Sequence, residues 1–70
     1  MNRNNYLTLH KIASDCNLLL TIFDNEITLH SAKPSQYLKI KEGINSAGLT
    51  ITRNESFMRN GHILTKLTVN

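Results

Sequence analysis

Displaced by 31 positions, this chain lies on itself. Tyr6-Leu7 falls on Tyr37-Leu38, Leu9 on Ile40, Ala13 on Ile44, Cys16 on Ala47, Leu18 on Leu49 and Thr21 on Thr52. The identities are few, but the matched roles agree. A repeat constrains the fold strongly, because each copy must build the same supersecondary unit and bury its apolar face against the other. With 70 residues there is room for one domain and one core. We read residues 1–70 as a single domain, with repeat units of about 5–31 and 35–69.

Each unit opens with a helical pattern. Tyr6, Leu9, Ala13 and Cys16 are spaced three, four and three apart, as are Tyr37, Ile40, Ile44 and Ala47. That spacing makes one apolar stripe on a helix. Asn4 or Asn5 is suited to cap the first helix, and Pro34 to open the second, where its missing N–H is no loss. Asn17 and Gly48 follow the stripes directly, and both types tolerate the left-handed conformation that ends helices.

A hairpin pattern follows each helix. Around Asp24-Asn25, a two-residue turn pairs Ile22 with Ile27 and Leu20 with Leu29 on one face. Around Asn60-Gly61, a two-residue turn would put Ile51 and Ile63 on opposite faces. A three-residue loop, Arg59-Asn60-Gly61, restores their parity. It sets Phe57 opposite Ile63, Arg53 opposite Leu67 and Ile51 opposite Val69.

The expected fold is therefore α+β, with duplicated αββ units (αββαββ) forming a four-stranded antiparallel sheet with two helices on one face. The expected core is Tyr6, Leu9, Ala13, Cys16, Leu18, Leu20, Ile22, Ile27, Leu29, Tyr37, Ile40, Ile44, Ala47, Leu49, Ile51, Phe57, Ile63, Leu67 and Val69. Strand order does not follow from the pattern. A core this small also leaves room for a homodimer that exchanges a unit or pairs edge strands.

The other sheet face is left to solvent or a partner. Its residues are expected to be Leu19, Thr21, Phe23, Glu26, Thr28, His30, Thr50, Thr52, Asn54, Ser56, Leu64, Lys66 and Thr68. Leu19, Phe23 and Leu64 stand where polar residues would serve, and together they would form a patch for a protein partner. Arg53 and Glu55 take core-facing parity, which we reconcile by letting the long strand overrun the helices. The hairpin from Asn54 to Ile63 then projects as a recognition finger carrying Phe57, Met58, Arg59, Asn60 and His62.

Chemistry is not assembled in the pattern. Cys16 sits on an apolar stripe, and as the only cysteine it permits no internal disulfide. His10, His30 and His62 fall on a helix, the far end of one strand and a hairpin tip, so no metal site is expected. Gly43, Gly48 and Gly61 fit no phosphate loop. Gly43, in mid-helix, reads as close packing or plain tolerance. No catalytic residue, cofactor or metal is therefore assigned. The polar opening Met1-Asn2-Arg3-Asn4-Asn5 reads as a frayed arm, and no secretory signal or membrane span is expected. A single thiol fits a reducing, cytoplasmic setting.

Net charge is +3, from eight scattered Lys and Arg against five acids. Nucleic-acid binding is permitted by that balance and not demanded. The leading expectation is a small non-catalytic binding protein. It would use Phe23, Phe57, Met58, Arg59, His62, Leu64 and Lys66 to occupy a surface on a host protein or ribonucleoprotein complex. A chain rich in Asn, Ile and Lys and lacking Trp suggests AT-rich coding, as in phages and mobile elements. An inhibitor of anti-CRISPR or other anti-defence type fits that combination. The alternative is a small DNA- or RNA-binding regulator using Arg3, Lys39, Lys41, Arg59 and Lys66, with only Phe23 on the open face for base stacking.

Overall fold

The computed structural model describes residues 1–70. Its elements run α1 (Arg3–Asp15), β1 (Leu19–Phe23), β2 (Glu26–His30), α2 (Pro34–Ser46), β3 (Ile51–Arg59) and β4 (His62–Val69). The four strands make one antiparallel sheet in the order β1-β2-β4-β3. The fold is α+β, with both helices packed on the same sheet face through Leu9, Ala13, Ile40 and Ile44. These meet Leu20, Ile27, Leu29, Leu67 and Val69 in one core.

The helices, 13 residues each, end alike. Asn17 and Gly48 take positive φ. The next amide reaches back over the last turn in both cases, Leu18 N–H to the Ala13 carbonyl at 2.8 Å and Leu49 N–H to the Ile44 carbonyl at 3.1 Å. These are the bonds that satisfy end carbonyls in a Schellman-type stop. The starts differ. Asn2, rather than Asn4 or Asn5, caps α1, its side chain accepting from Asn5 N–H at 2.8 Å. The expected frayed arm is thus drawn into the helix. Met1 packs at the edge of the core, and its ammonium donates to Asn25 Oδ1 at 3.0 Å.

Pro34 opens α2 as expected. Gln36 then serves both helices. Its Oε1 accepts from Lys33 N–H at 2.7 Å, and its Nε2 donates to the Cys16 carbonyl at 2.9 Å. Gly43 lies where the helices touch: a Cβ there would meet Ile12 Cδ1 at 2.5 Å and Leu9 Cδ2 at 3.4 Å.

The first hairpin has the expected register, Ile22 opposite Ile27 and Leu20 opposite Leu29. The second does not. Its turn is Asn60-Gly61 alone, both at positive φ, with Arg59 opposite His62. Two left-handed central residues are what a type I′ turn requires. Parity is repaired instead inside β3 by an irregularity between Ile51 and Arg53, which leaves Thr52 as an extra residue. Ile51 still faces Val69, but Phe57 faces Leu64 rather than Ile63, and Arg53 faces Thr68 rather than Leu67.

That one extra residue exchanges the faces of most of β3. Arg53, Glu55 and Phe57 lie on the open face. Asn54 and Ser56 lie on the helix side, where Asn54 Nδ2 donates to Tyr37 Oη at 2.7 Å. Arg53 and Glu55 are therefore not core-facing, and they pair with each other in water. Four residues leave the expected core. Phe57 belongs to the open face, Ile63 and Tyr6 are exposed, and Ala47 is only half-buried. Met58 and Ile63 pair across the hairpin on the helix side, and both stand exposed.

Candidate interaction face

The strand registers place the open-face residues in three rows across the sheet. Leu19, His30, Leu64 and Phe57 form the first. Thr21, Thr28, Lys66 and Glu55 form the second, and Phe23, Glu26, Thr68 and Arg53 the third. Side chains directly opposite on antiparallel strands touch, so each row is a continuous band of contacts about 14 Å long.

The second and third rows are charge-matched. Lys66 Nζ lies 3.2 Å from Glu26 Oε2, and Arg53 pairs with Glu55. Such exposed pairs contribute little to stability. They do neutralise this half of the face, and Lys66 is thereby engaged within the chain.

The first row is different. Leu19 is 65 % exposed and Phe57 42 %, whereas Leu64 between them is only 7 % exposed although no helix covers it. Its cross-strand neighbours on that face are His30 and Phe57. One step further, Arg59 and His62 face each other beside the turn. Together with Ser31 and Asn60 these residues bound a shallow cleft of about 520 Å3 over Leu19 and Leu64. Ser31 Oγ and His62 Nδ1 lie 3.4 Å apart, and Thr21 Oγ1 and His30 Nε2 3.3 Å apart. No carboxylate lines the cleft. Its chemistry is an apolar floor with an arginine fork and two imidazoles at the rim, suited to an acidic group that arrives beside an apolar one.

The structure thus gathers Phe57, Arg59, His62 and Leu64 at the hairpin end of the face. It leaves Phe23 two rows away, four residues along β1 from Leu19 and hence about 13 Å distant. Leu19 and Leu64 do share a patch, with Phe57 in place of Phe23. Met58 lies on the other side of the hairpin. Ser31 carries no signal in the sequence, and the row that joins Leu19 and His30 to Phe57 follows only from the strand order. His30 and His62, expected to be apart, line one cleft. No group of three His, Cys, Asp or Glu side chains forms around them or elsewhere.

The basic residues considered for nucleic acid do not converge. Arg3 opens α1, Lys39 and Lys41 are exposed on α2, and Arg59 and Lys66 lie on the opposite side of the sheet. Cys16 is half-buried, its Sγ donating to the Ala13 carbonyl at 3.6 Å. It borders a groove between the helices, together with Ile12, Lys39 and Glu42. No helix is long and apolar enough to cross a membrane.

Comparison with known proteins finds no matching family model, no matching curated protein and no matching solved structure.

Proposed function

We propose that this chain is a non-catalytic binding protein that acts by occupying a surface of a larger macromolecule. The hairpin end of its open sheet face makes the contact. The observation that carries this reading is the bare Leu19–His30–Leu64–Phe57 row with Arg59 and His62 at its rim. Aromatic and arginine side chains beside a shielded leucine are the anchors from which interfaces draw most of their energy. The complementary partner surface is a protein one, presenting an apolar side chain next to a carboxylate. The Asn-, Ile- and Lys-rich composition, which suggests AT-rich coding, favours an inhibitor carried by a phage or mobile element. It would act in the cytoplasm on a host protein or ribonucleoprotein, in the anti-CRISPR or wider anti-defence manner.

The test is retention of partners from nuclease-treated host lysate by the native chain and by Phe57→Ala/Arg59→Ala. The native chain should hold a protein partner, and the double variant should hold it at least about tenfold more weakly, some 1.4 kcal/mol. Its melting temperature should fall far less than that implies, since Arg59 is exposed and Phe57 lies on the open face outside the core. Equal losses of affinity and melting temperature would overturn the reading. So would retention that nuclease abolishes and salt titrates steeply, which is the behaviour of a nucleic-acid binder.

A further inference from the structure

β3 forms one edge of the sheet and pairs only with β4. Its other flank presents backbone N–H and C=O groups that no strand of this chain uses. The opposite edge, β1, has five residues; β3 has nine. Proteins usually disable such edges with like charges, proline, bulges or a covering loop. Here the irregularity sits at the start of the strand, and from Arg53 to Arg59 the ladder is regular. That stretch contains no proline and no glycine, and its charges are of mixed sign: Arg53, Glu55 and Arg59.

Antiparallel pairing of a strand with its own copy must keep open-face residues opposite open-face residues. The two-fold axis then passes through a residue, and few choices exist. An axis at Glu55 sets two carboxylates against each other. One at Ser56 opposes Arg53 with Arg59. One at Asn54 matches Arg53 with Glu55 but runs Phe57 against the irregular stretch at Ile51. An axis at Phe57 sets Glu55 against Arg59 of the second copy and Arg59 against its Glu55. The two Phe57 rings meet at the centre, and Met58 lies beside Ser56 on the helix side.

We propose that two copies of this chain join edge to edge through residues 55–59 of β3, in that register. The product is one eight-stranded antiparallel sheet. Opposite charges directly across an antiparallel pair, and an aromatic pair between them, are each stabilising, whereas the registers centred on Glu55 and Ser56 place like charges together and the one centred on Asn54 runs into the irregular stretch. The contact is small beside standard interfaces, so the dimer is a reversible one with a dissociation constant in the micromolar range or weaker. Joining at Phe57 runs the apolar row of one copy into that of the other, so the two interaction faces become one surface on the same side.

Sedimentation velocity across a hundredfold range of concentration, reaching about 1 mM, tests this without any other partner, so its outcome is separate from that of the proposed function. The native chain should pass from monomer to dimer. Arg59→Glu opposes two glutamates at each end of the contact and should weaken association at least about tenfold. Glu55→Arg should do the same, and the double exchange E55R/R59E should restore association to within about threefold of native. Circular dichroism checks that each variant is folded; Arg59, exposed beside the turn, makes R59E the safer single change. A native chain that stays monomeric throughout overturns the proposal. So does an R59E variant that associates as well as the native chain, or a folded double variant that fails to recover.

Discussion

Gln36 is a small residue-scale joint on which both helices depend. Its carbonyl oxygen holds the first turn of α2 while its amide nitrogen holds the end of α1. Removing it with Gln36→Ala leaves a helix-start amide and a half-buried carbonyl short of partners, and should cost about 1–2 kcal/mol in urea unfolding. Gln36→Glu separates the two roles. A carboxylate still accepts from Lys33 N–H, but it has no hydrogen to give the Cys16 carbonyl and sits against it instead. We expect Gln36→Glu to be no more stable than Gln36→Ala, although isolated helix propensity ranks Ala and Glu close together. His10 makes the opposite case. Its Nε2 is buried without a hydrogen-bond partner, while the ring lies tilted against Tyr6 at a centroid distance of 4.4 Å. His10→Phe keeps the ring and deletes the orphaned nitrogen. It should raise the unfolding free energy by about 1 kcal/mol, read as a higher urea midpoint at unchanged slope.

At the scale of elements, the two helices were legible in the sequence and the second hairpin was only partly so. The three-four-three stripes and the stop residues Asn17 and Gly48 are local signals, and local signals survive folding. The position of Thr52 outside the ladder is not local: nothing about a threonine marks a bulge, and parity can be repaired in a loop or in a strand. A repair in the loop reverses most of β3 and turns Arg53 and Glu55 towards the helices, whereas the repair inside the strand keeps both on the open face. The nearness of Leu19 and His30 to Phe57 is hidden for a related reason, since it arises from the insertion of β4 between β2 and β3. Deletions test the bulge directly. Removing Thr52 leaves Ile51 opposite Val69 and Arg53 opposite Thr68, so the variant should fold within about 1 kcal/mol of native. Removing Asn54 instead restores a plain ladder by turning Arg53 towards Leu67 and the core, and should cost well over about 2 kcal/mol. Between the helices, Gly43→Val brings methyl groups into Leu9 and Ile12, and thermal unfolding should show a loss of about 2 kcal/mol.

The molecule as a whole rests on one layer of ten buried apolar residues, and its single cysteine excludes an internal disulfide. A domain of this size has only a few kcal/mol in hand. Ile27→Ala, at the centre of the sheet and fully buried, removes about 2–5 kcal/mol by itself. That variant should be largely unfolded by circular dichroism at 37 °C, whereas Leu19→Ala, on the open face, should shift stability by no more than about 0.5 kcal/mol. The strand order also carries a consequence for synthesis. β4 follows every other element in the chain, yet it occupies an interior lane of the sheet between β2 and β3. While a ribosome is still adding residues 62–69, the flank of β2 has no neighbour, and Leu67 and Val69 are not yet there to close over Ile27 and Leu29. The nascent polypeptide therefore cannot complete its sheet half by half; the sheet closes only once the final strand has cleared the exit tunnel.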